Sequence, residues 1–496
     1  MYSGKVENKK WTDKEFLEKR KQVLTRWSTG KELENLDEQV AYGKSMGDSK
    51  NFSKTVAKAK GLGQILAEPG TGLANPDEVI KHMKEVAAEG ADLFLLHTDS
   101  YTRSGKYEMA QRGFEQSVTT GRSQLNGLPI VNVGRKKLRE INESLRIPIR
   151  VVGSPDQETE LNAEMGLASG FLATPSYTLH CVAQHCRDYP LARRTQVQQY
   201  INRLAGYYIQ RDVPVELTIV GCVNGWTPPS VLLATVVIDS IIAAEQGGTR
   251  QTIGTGLQLN MVQDVAQLAA CTELTTEYLV KLGYKVSKTA TPTSPDEVVL
   301  SRWIWSWMGD WPMDVNQAGG MVSLCATTAA MAKCDWTVVK SVEEAIGVPS
   351  AKGNIAGVKM AKQVFRLLKN QDMLSDQAVL AEKEWIKKET RAIVDRVLEL
   401  GNGDVVIGQI KAVDEGVLDF PFSPYMPLKG KVLAARDLKG AIRYLHTGNL
   451  PFSKEIIEYN HEKIAEREKA EGRKMDLNVI AGDLCLRSEP IGPSVL

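Results

Sequence analysis

The stretch SYTLHCVAQHCRD places His180, Cys181, His185 and Cys186 within seven residues, in a chain holding 6 histidines and 7 cysteines in all. Imidazole and thiolate are good ligands for zinc and other borderline metals, so metal binding is one chemistry this segment supports. The spacing HC-x3-HC lacks the C-x2-C with a distant second pair of an established zinc site, and cysteine is among the most buried residue types. On that second reading His180 and Cys186 face away and pack.

Lys340 and Glu344 in VVKSVEEAIG form a further charged pair. On spacing alone they make an i,i+4 ion pair whose order is the reverse of the one a helix favours. No Ser-His-Asp order and no paired-carboxylate motif stands out. GTGLQLNM follows a strand-like run but lacks G-x-G-x-x-G, which leaves a dinucleotide site weakly supported.

Composition narrows the classes. Lys plus Arg is 61 and Asp plus Glu is 60, so no global field draws nucleic acid or an anionic membrane. The stretch MYSGKVENKKWTDKEF has no apolar signal core, and no run approaches the roughly 18 apolar residues of a membrane span, so a cytoplasmic protein is expected. An odd number of cysteines scattered from Cys181 to Cys485 does not resemble a disulfide framework.

The elements that must position these residues fall into three parts. Residues 1–60 read as a helical extension, with a capping box in WTDKEF, where Thr12 precedes Glu15 by three residues. Across 61–370, apolar or β-branched runs alternate with helical stretches: ADLFLLHTD, LPIVNVG, IPIRVVG, SGFLATP, VPVELTIVG, TRQTIGTG, YKVSKTATP, GMVSLCATT and CDWTVVK. Continuous apolar strands between helices are buried on both faces, and eight or nine such units predict an α/β fold of the (β/α)8 TIM-barrel type. Loops after the strands then bring His97, Arg103, Asn126, the segment after Gly170 and Lys340 to one mouth. Residues 371–496 read as an α-rich extension of charged helices joined by the Pro-rich FPFSPYMPLKGK.

Twelve blocks in order, among them AEPGTG, DSYTR, GRSQLNGLP, GSPD, NMVQD, WMGDWP, VVKSVEEAIGVPS and GNLPFSKEIIEYN, resemble the large (E, or epsilon) subunit of glutamate mutase, also called methylaspartate mutase. The resemblance implies a barrel whose mouth faces adenosylcobalamin. It also implies that the cobalt ligand comes from a small partner subunit carrying D-x-H-x-x-G, with two copies of each chain in a heterotetramer. None of the 6 histidines here sits in that motif. Such chemistry places the reactive power in the cofactor and leaves the protein to bind, orient and exclude water.

Carried over residue by residue, the resemblance assigns Lys340 and Glu344 to the adenosyl ribose. Gly72, Asn126, Trp311 and Val348 fall on cofactor-contact positions, and Gln184 stands where the family has a cofactor-contact proline. The substrate half departs from the family. Of three carboxylate-gripping arginines only Arg103 is kept, with Gly70 and Val151 at the other two positions. Pro175 stands for the glutamate that meets the substrate ammonium, Cys181 and His185 stand for two tyrosines, and His97 replaces a small polar residue. Two lost charged hydrogen bonds remove roughly 3 to 6 kcal/mol, on the order of a hundred- to ten-thousand-fold in affinity. The expected activity is therefore a radical carbon-skeleton rearrangement of a small carboxylic acid other than glutamate. A non-catalytic barrel that binds a cobalamin-carrying partner, and a metal-dependent barrel enzyme using His180, Cys181 and His185, stand beside it.

Overall fold

The computed structural model describes residues 6–152, 157–221 and 225–485. Among them, parallel strands follow one another around a closed ring. β1 (Leu66–Glu68) and β2 (Gly70–Thr71) are two halves of one strand interrupted at Pro69, which has no N–H to give to a ladder. Then come β3 (Phe94–His97), β4 (Ile149–Val152), β5 (Ala173–Pro175), β6 (Glu216–Val220), β7 (Arg250–Gly256), β8 (Val299–Trp305) and β9 (Trp336–Val338). The ladder runs β5-β6-β7-β8-β9-β1 and, past the break, β2-β3-β4. β4 and β5 lie side by side, which closes an eight-membered barrel.

Three expected strands are something else. LPIVNVG contains the short helix Ile130–Val133, and GMVSLCATT lies inside the helix Val315–Met331. YKVSKTATP contributes only a single bridge, Val286 to Val298. The β1/β2 strand and β8 take the vacated places. The helix Val315–Met331 is buried on most of its surface, so it carries too few polar residues to show a helical period.

The barrel interior is not uniformly apolar. Arg150 on β4 forms a double hydrogen bond with Glu68 on β1 (3.0 and 2.5 Å) and reaches Thr218 at 3.2 Å. Its guanidinium lies 5.1 to 5.8 Å from the rings of Trp303, Trp305 and Trp336. Both partners of this ion pair are fully buried. The helix Phe52–Gly61 plugs the end where the strands begin: Phe52 meets Trp336 edge-on, and Ser53 donates to the buried Glu216 carboxylate at 2.6 Å.

The expected capping box is present, with Thr12 heading the helix Asp13–Leu24. That helix lies on the outer helical layer, where Arg20 pairs with the buried Glu164 and Phe16 packs against Tyr200. The helices Gln377–Leu400 and Lys454–Glu471 confirm the helical patterns read near the C-terminus. Between them lies an unanticipated antiparallel hairpin, β10 (Val432–Arg436) and β11 (Ile442–Thr447). It is pinned by Arg443 to Glu382 (2.6 and 2.7 Å) and by Arg436 to the Gly225 and Gln258 carbonyls (3.2 and 2.8 Å). No helix among the described residues is long and apolar enough to cross a membrane.

Candidate active site at the barrel mouth

A cleft of about 530 Å³ opens where β1/β2, β3 and β9 end. Each wall is placed by a local device. Asp99 caps the turn Ser100–Arg103, accepting from the Tyr101 and Thr102 amides (2.9 and 3.1 Å), and so fixes Arg103 at the rim. Gly127 has φ +132°, and a Cβ there would come within 2.5 Å of the Asp99 backbone. Only glycine lets this loop lie against the end of β3, where Leu128 N–H bonds the His97 carbonyl at 2.8 Å and Asn126 is presented to the cleft. Gly72 faces that amide so closely that a Cβ would sit 2.6 Å from Asn126 Oδ1.

The opposite wall follows β9. Lys340 Nζ lies 3.1 Å from Glu344 Oε1 and 4.9 Å from the centre of the Trp311 ring. The intervening residues form turns, not a helix, so this pair is no ordinary helical i,i+4 contact. Both side chains line the cleft, as does Val348. The buried Trp311 Nε1–H has no hydrogen-bond partner among the described residues. Asn354, on the helix Ala351–Leu367, donates to the Gly70 carbonyl at 2.8 Å and ties this wall to β2.

His97 ends β3 on the floor. A Cβ on Gly70 would come 3.3 Å from its Nε2, so the absent side chain is what gives the imidazole room. Burial, reinforced by the nearby charges of Arg103, Arg150 and Lys340, pushes the His97 pKa down to about 4. His97 is therefore a neutral hydrogen-bonding group at ordinary pH. Leu95, Trp305 and Met308 supply apolar wall beside it.

The structure thus gathers Gly70, Gly72, His97, Arg103, Asn126, Lys340, Glu344 and Val348 in one cleft, with Trp311 held against it. The other residues singled out in the sequence lie elsewhere among the described residues. Val151 points outward and packs on Gly166 of the helix Glu160–Ala168, because alternation along β4 turns Arg150 and Val152 inward. Pro175 ends β5, its carbonyl accepting from Gln198 at 3.3 Å. The GSPD block falls outside the described residues.

The histidine–cysteine segment forms the helix Leu179–His185 and is split by it. Cys181 is fully buried in the barrel interior with Tyr177, Val220 and Trp303 and does not line the cleft. His180 is buried against the Tyr177 ring (4.9 Å), and burial drives its pKa down to about 3. Cys186 packs in the outer apolar layer, while Gln184 is half-buried and His185 exposed. The loop read as Pro-rich covers this helix: Ser423 Oγ donates to the Ala183 carbonyl at 2.6 Å, and Met426 N–H to the Arg187 carbonyl at 2.8 Å. Among the described residues no three His, Cys, Asp or Glu side chains are placed to share a metal ion.

Sequence reading missed the Arg150–Glu68 pair beneath the cleft. IPIRVVG carried the signal, because a lone arginine inside an apolar strand must find a partner when buried. Asn354 was missed too, and nothing in its helix marks it.

Comparison with known proteins bears on this cleft. Residues 46–490 match the family described as methylaspartate mutase E chain. The glutamate mutase epsilon subunit of Desulfitobacterium hafniense is 38% identical over 96% of each chain, and that of Escherichia coli O157:H7 is 35% identical over 97% of each. Among solved structures, tryptophan synthase subunit alpha from Legionella pneumophila aligns with a TM-score of 0.35 at 13% identity, over 63% of this chain and 97% of that one.

Proposed function

The chain belongs to the methylaspartate mutase E chain family, and we propose that it is the substrate-holding large subunit of an adenosylcobalamin-dependent carbon-skeleton mutase. It acts on a small carboxylic acid other than glutamate. The observation that carries this reading is the convergence of Gly72, Asn126, Lys340, Glu344 and Val348 on one cleft beside Arg103.

The cleft suits an adenosyl group. Glu344 offers acceptors and Lys340 and Asn126 offer donors for ribose hydroxyls, and the unpartnered Trp311 N–H stands by the same wall. When bound, the cofactor supplies the radical that begins the rearrangement. This chain's residues orient the acid and keep water out. Arg103 holds the carboxylate and His97, kept neutral, donates or accepts one hydrogen bond to the remainder. Cys181 is fully buried and does not line the cleft, which keeps its hydrogen atom from a substrate radical held there.

The substrate class follows from charge. Gly70 adds no cation beside Arg103, Lys340 in the same cleft is paired with Glu344, and the arginine adjacent to Val151, Arg150, is committed to Glu68. The substrate is read as a monocarboxylate with a neutral or apolar remainder against Leu95, Trp305 and Met308. The partner is a small cobalamin-binding subunit with D-x-H-x-x-G, in a cytoplasmic heterotetramer built on two copies of this chain. The division into 1–60, 61–370 and 371–496 completes the proposal.

Anaerobic EPR of the chain with its cognate small subunit and adenosylcobalamin, titrated with glutamate and with a panel of mono- and dicarboxylates, tests it. An organic-radical signal with a monocarboxylate is expected. A signal with glutamate alone overturns the altered substrate but leaves the mutase. Silence with every acid overturns the mutase and favours a non-catalytic barrel.

A further inference from the structure

A second and larger cleft, about 620 Å³, lies at the opposite end of the barrel, where β1 and β9 begin. Three helices end here: Phe52–Gly61, Val315–Met331 and Ala351–Leu367. Backbone carbonyls account for part of a basic rim. Lys60 bonds the Leu300 carbonyl, Lys333 that of Lys369, and Lys362 that of Gly90 (3.2, 3.3 and 2.8 Å). Cations near helix C-termini are ordinary complements to the dipole.

The rim nevertheless holds more positive charge than its surroundings neutralise. Lys60 and Lys362 are matched by carboxylates, Asp335 at 3.4 Å and Asp92 at 2.8 Å. Lys333, Arg366 and Lys369 are engaged by no carboxylate among the described residues; Arg366 reaches only the Gln363 amide oxygen at 2.8 Å. The excess is three charges around one concavity.

Backbone geometry at Lys333 is the second observation. It has φ +51°, in the left-handed position after a helix that glycine normally fills. A lysine is held there against that preference, with its side chain lining the cleft. The third observation is the floor, where the half-buried Ile65 and Leu368, backed by the buried Leu66 and Phe365, form an apolar surface.

We propose that this cleft binds a nucleoside polyphosphate, its base on the apolar floor at Ile65 and Leu368 and its phosphates on Lys333, Arg366 and Lys369. The volume lies within the range of small-molecule sites, and neither surface alone would hold such a ligand. The site shares strands β1 and β9 with the mouth but none of the mouth's side chains.

Isothermal titration of the full chain with ATP, and separately with tripolyphosphate, tests the assignment. Saturable ATP binding that weakens with added salt is expected, with tripolyphosphate weaker. The double variant R366E/K369E is expected to raise the ATP dissociation constant about tenfold or more. Lys333→Gly guards against misfolding: it weakens ATP binding while leaving the thermal midpoint unchanged or higher. Absence of saturable ATP binding, or binding indifferent to both substitutions, overturns the site. Tripolyphosphate binding as tightly as ATP overturns its nucleoside part.

Discussion

The two ends of the barrel handle charge in opposite ways. At the mouth, Lys340 lies against Glu344 and a tryptophan ring, and Asp99 caps the turn that carries Arg103. At the other end, beyond the Lys60–Asp335 and Lys362–Asp92 pairs, three cations stand around an apolar floor with no carboxylate among the described residues to meet them. A site that must orient a small acid for radical chemistry needs groups fixed before the ligand arrives, since misplacement costs rate. A site that only holds an anion tolerates mobile lysines, whose charge acts without fixed geometry. Between the ends, the Arg150–Glu68 pair and its tryptophans join β1 to β4, and so support the mouth from beneath.

The largest expected effect comes from removing that support. Glu68→Ala leaves Arg150 buried without its carboxylate and should destabilise the fold by about 3 to 5 kcal/mol, read as a fall in denaturation midpoint. A loss well under that would show that water or a shift of Arg150 relieves the charge. Next comes pH. His97 is neutral when folded, with a pKa near 4 against its ordinary 6.5, and takes up a proton more readily when unfolded. Its contribution to stability is fully present above pH 6.5 and is lost as pH falls to about 4, on the order of 3 kcal/mol. Buried carboxylates such as Asp239 titrate in the other direction, so the quantity to measure is the stability difference between wild type and His97→Asn across that window. A difference independent of pH would place His97 in contact with water.

Arg103→Ala should lower carboxylate affinity by about 1.5 to 3 kcal/mol, roughly ten- to a hundred-fold, with ATP binding at the far cleft unchanged. Equal affinity before and after would show that the rim arginine does not hold the acid. The smallest effect is at Lys333, where glycine should raise stability by about 1 kcal/mol by relieving the left-handed backbone. A loss of stability there would mean that the lysine's bond to the Lys369 carbonyl matters more than the strain.

Much of the fold was legible where a strand is short, apolar and flanked by turn residues, as in FLLH, IRVV and ELTIV. Reading failed where burial erased the pattern. The helix Val315–Met331 and the turn at Ile130–Val133 are apolar because neighbours cover them, and an apolar run alone does not distinguish helix from strand. Strand β8 was hidden by Ser301 and Arg302, a pair the tertiary structure accommodates by bonding Arg302 to Thr272 and the Ala332 carbonyl. The β1/β2 strand was hidden by Pro69. At the site, His97, Arg103, Asn126 and Lys340 were legible together because barrel loops converge at the strand ends, whereas Glu344 came from the family resemblance. Val151 was misplaced because one position along a strand reverses the face a side chain occupies.

By itself the sequence determined the alternation of strands and helices, the barrel it implies, the capped helix at Asp13 and the family to which the blocks point, since these rest on local pattern and ordered motifs. The tertiary structure decided which residues share a cleft. It buried Cys181 in the barrel interior and His180 against Tyr177, left His185 exposed and packed Cys186 in the outer apolar layer, giving four residues within seven positions different surroundings. A helix turns successive side chains through about 100° each, so neighbours along the chain face different surroundings. The same geometry paired Arg150 with Glu68 across 82 residues, because only barrel closure sets β1 and β4 facing across one interior.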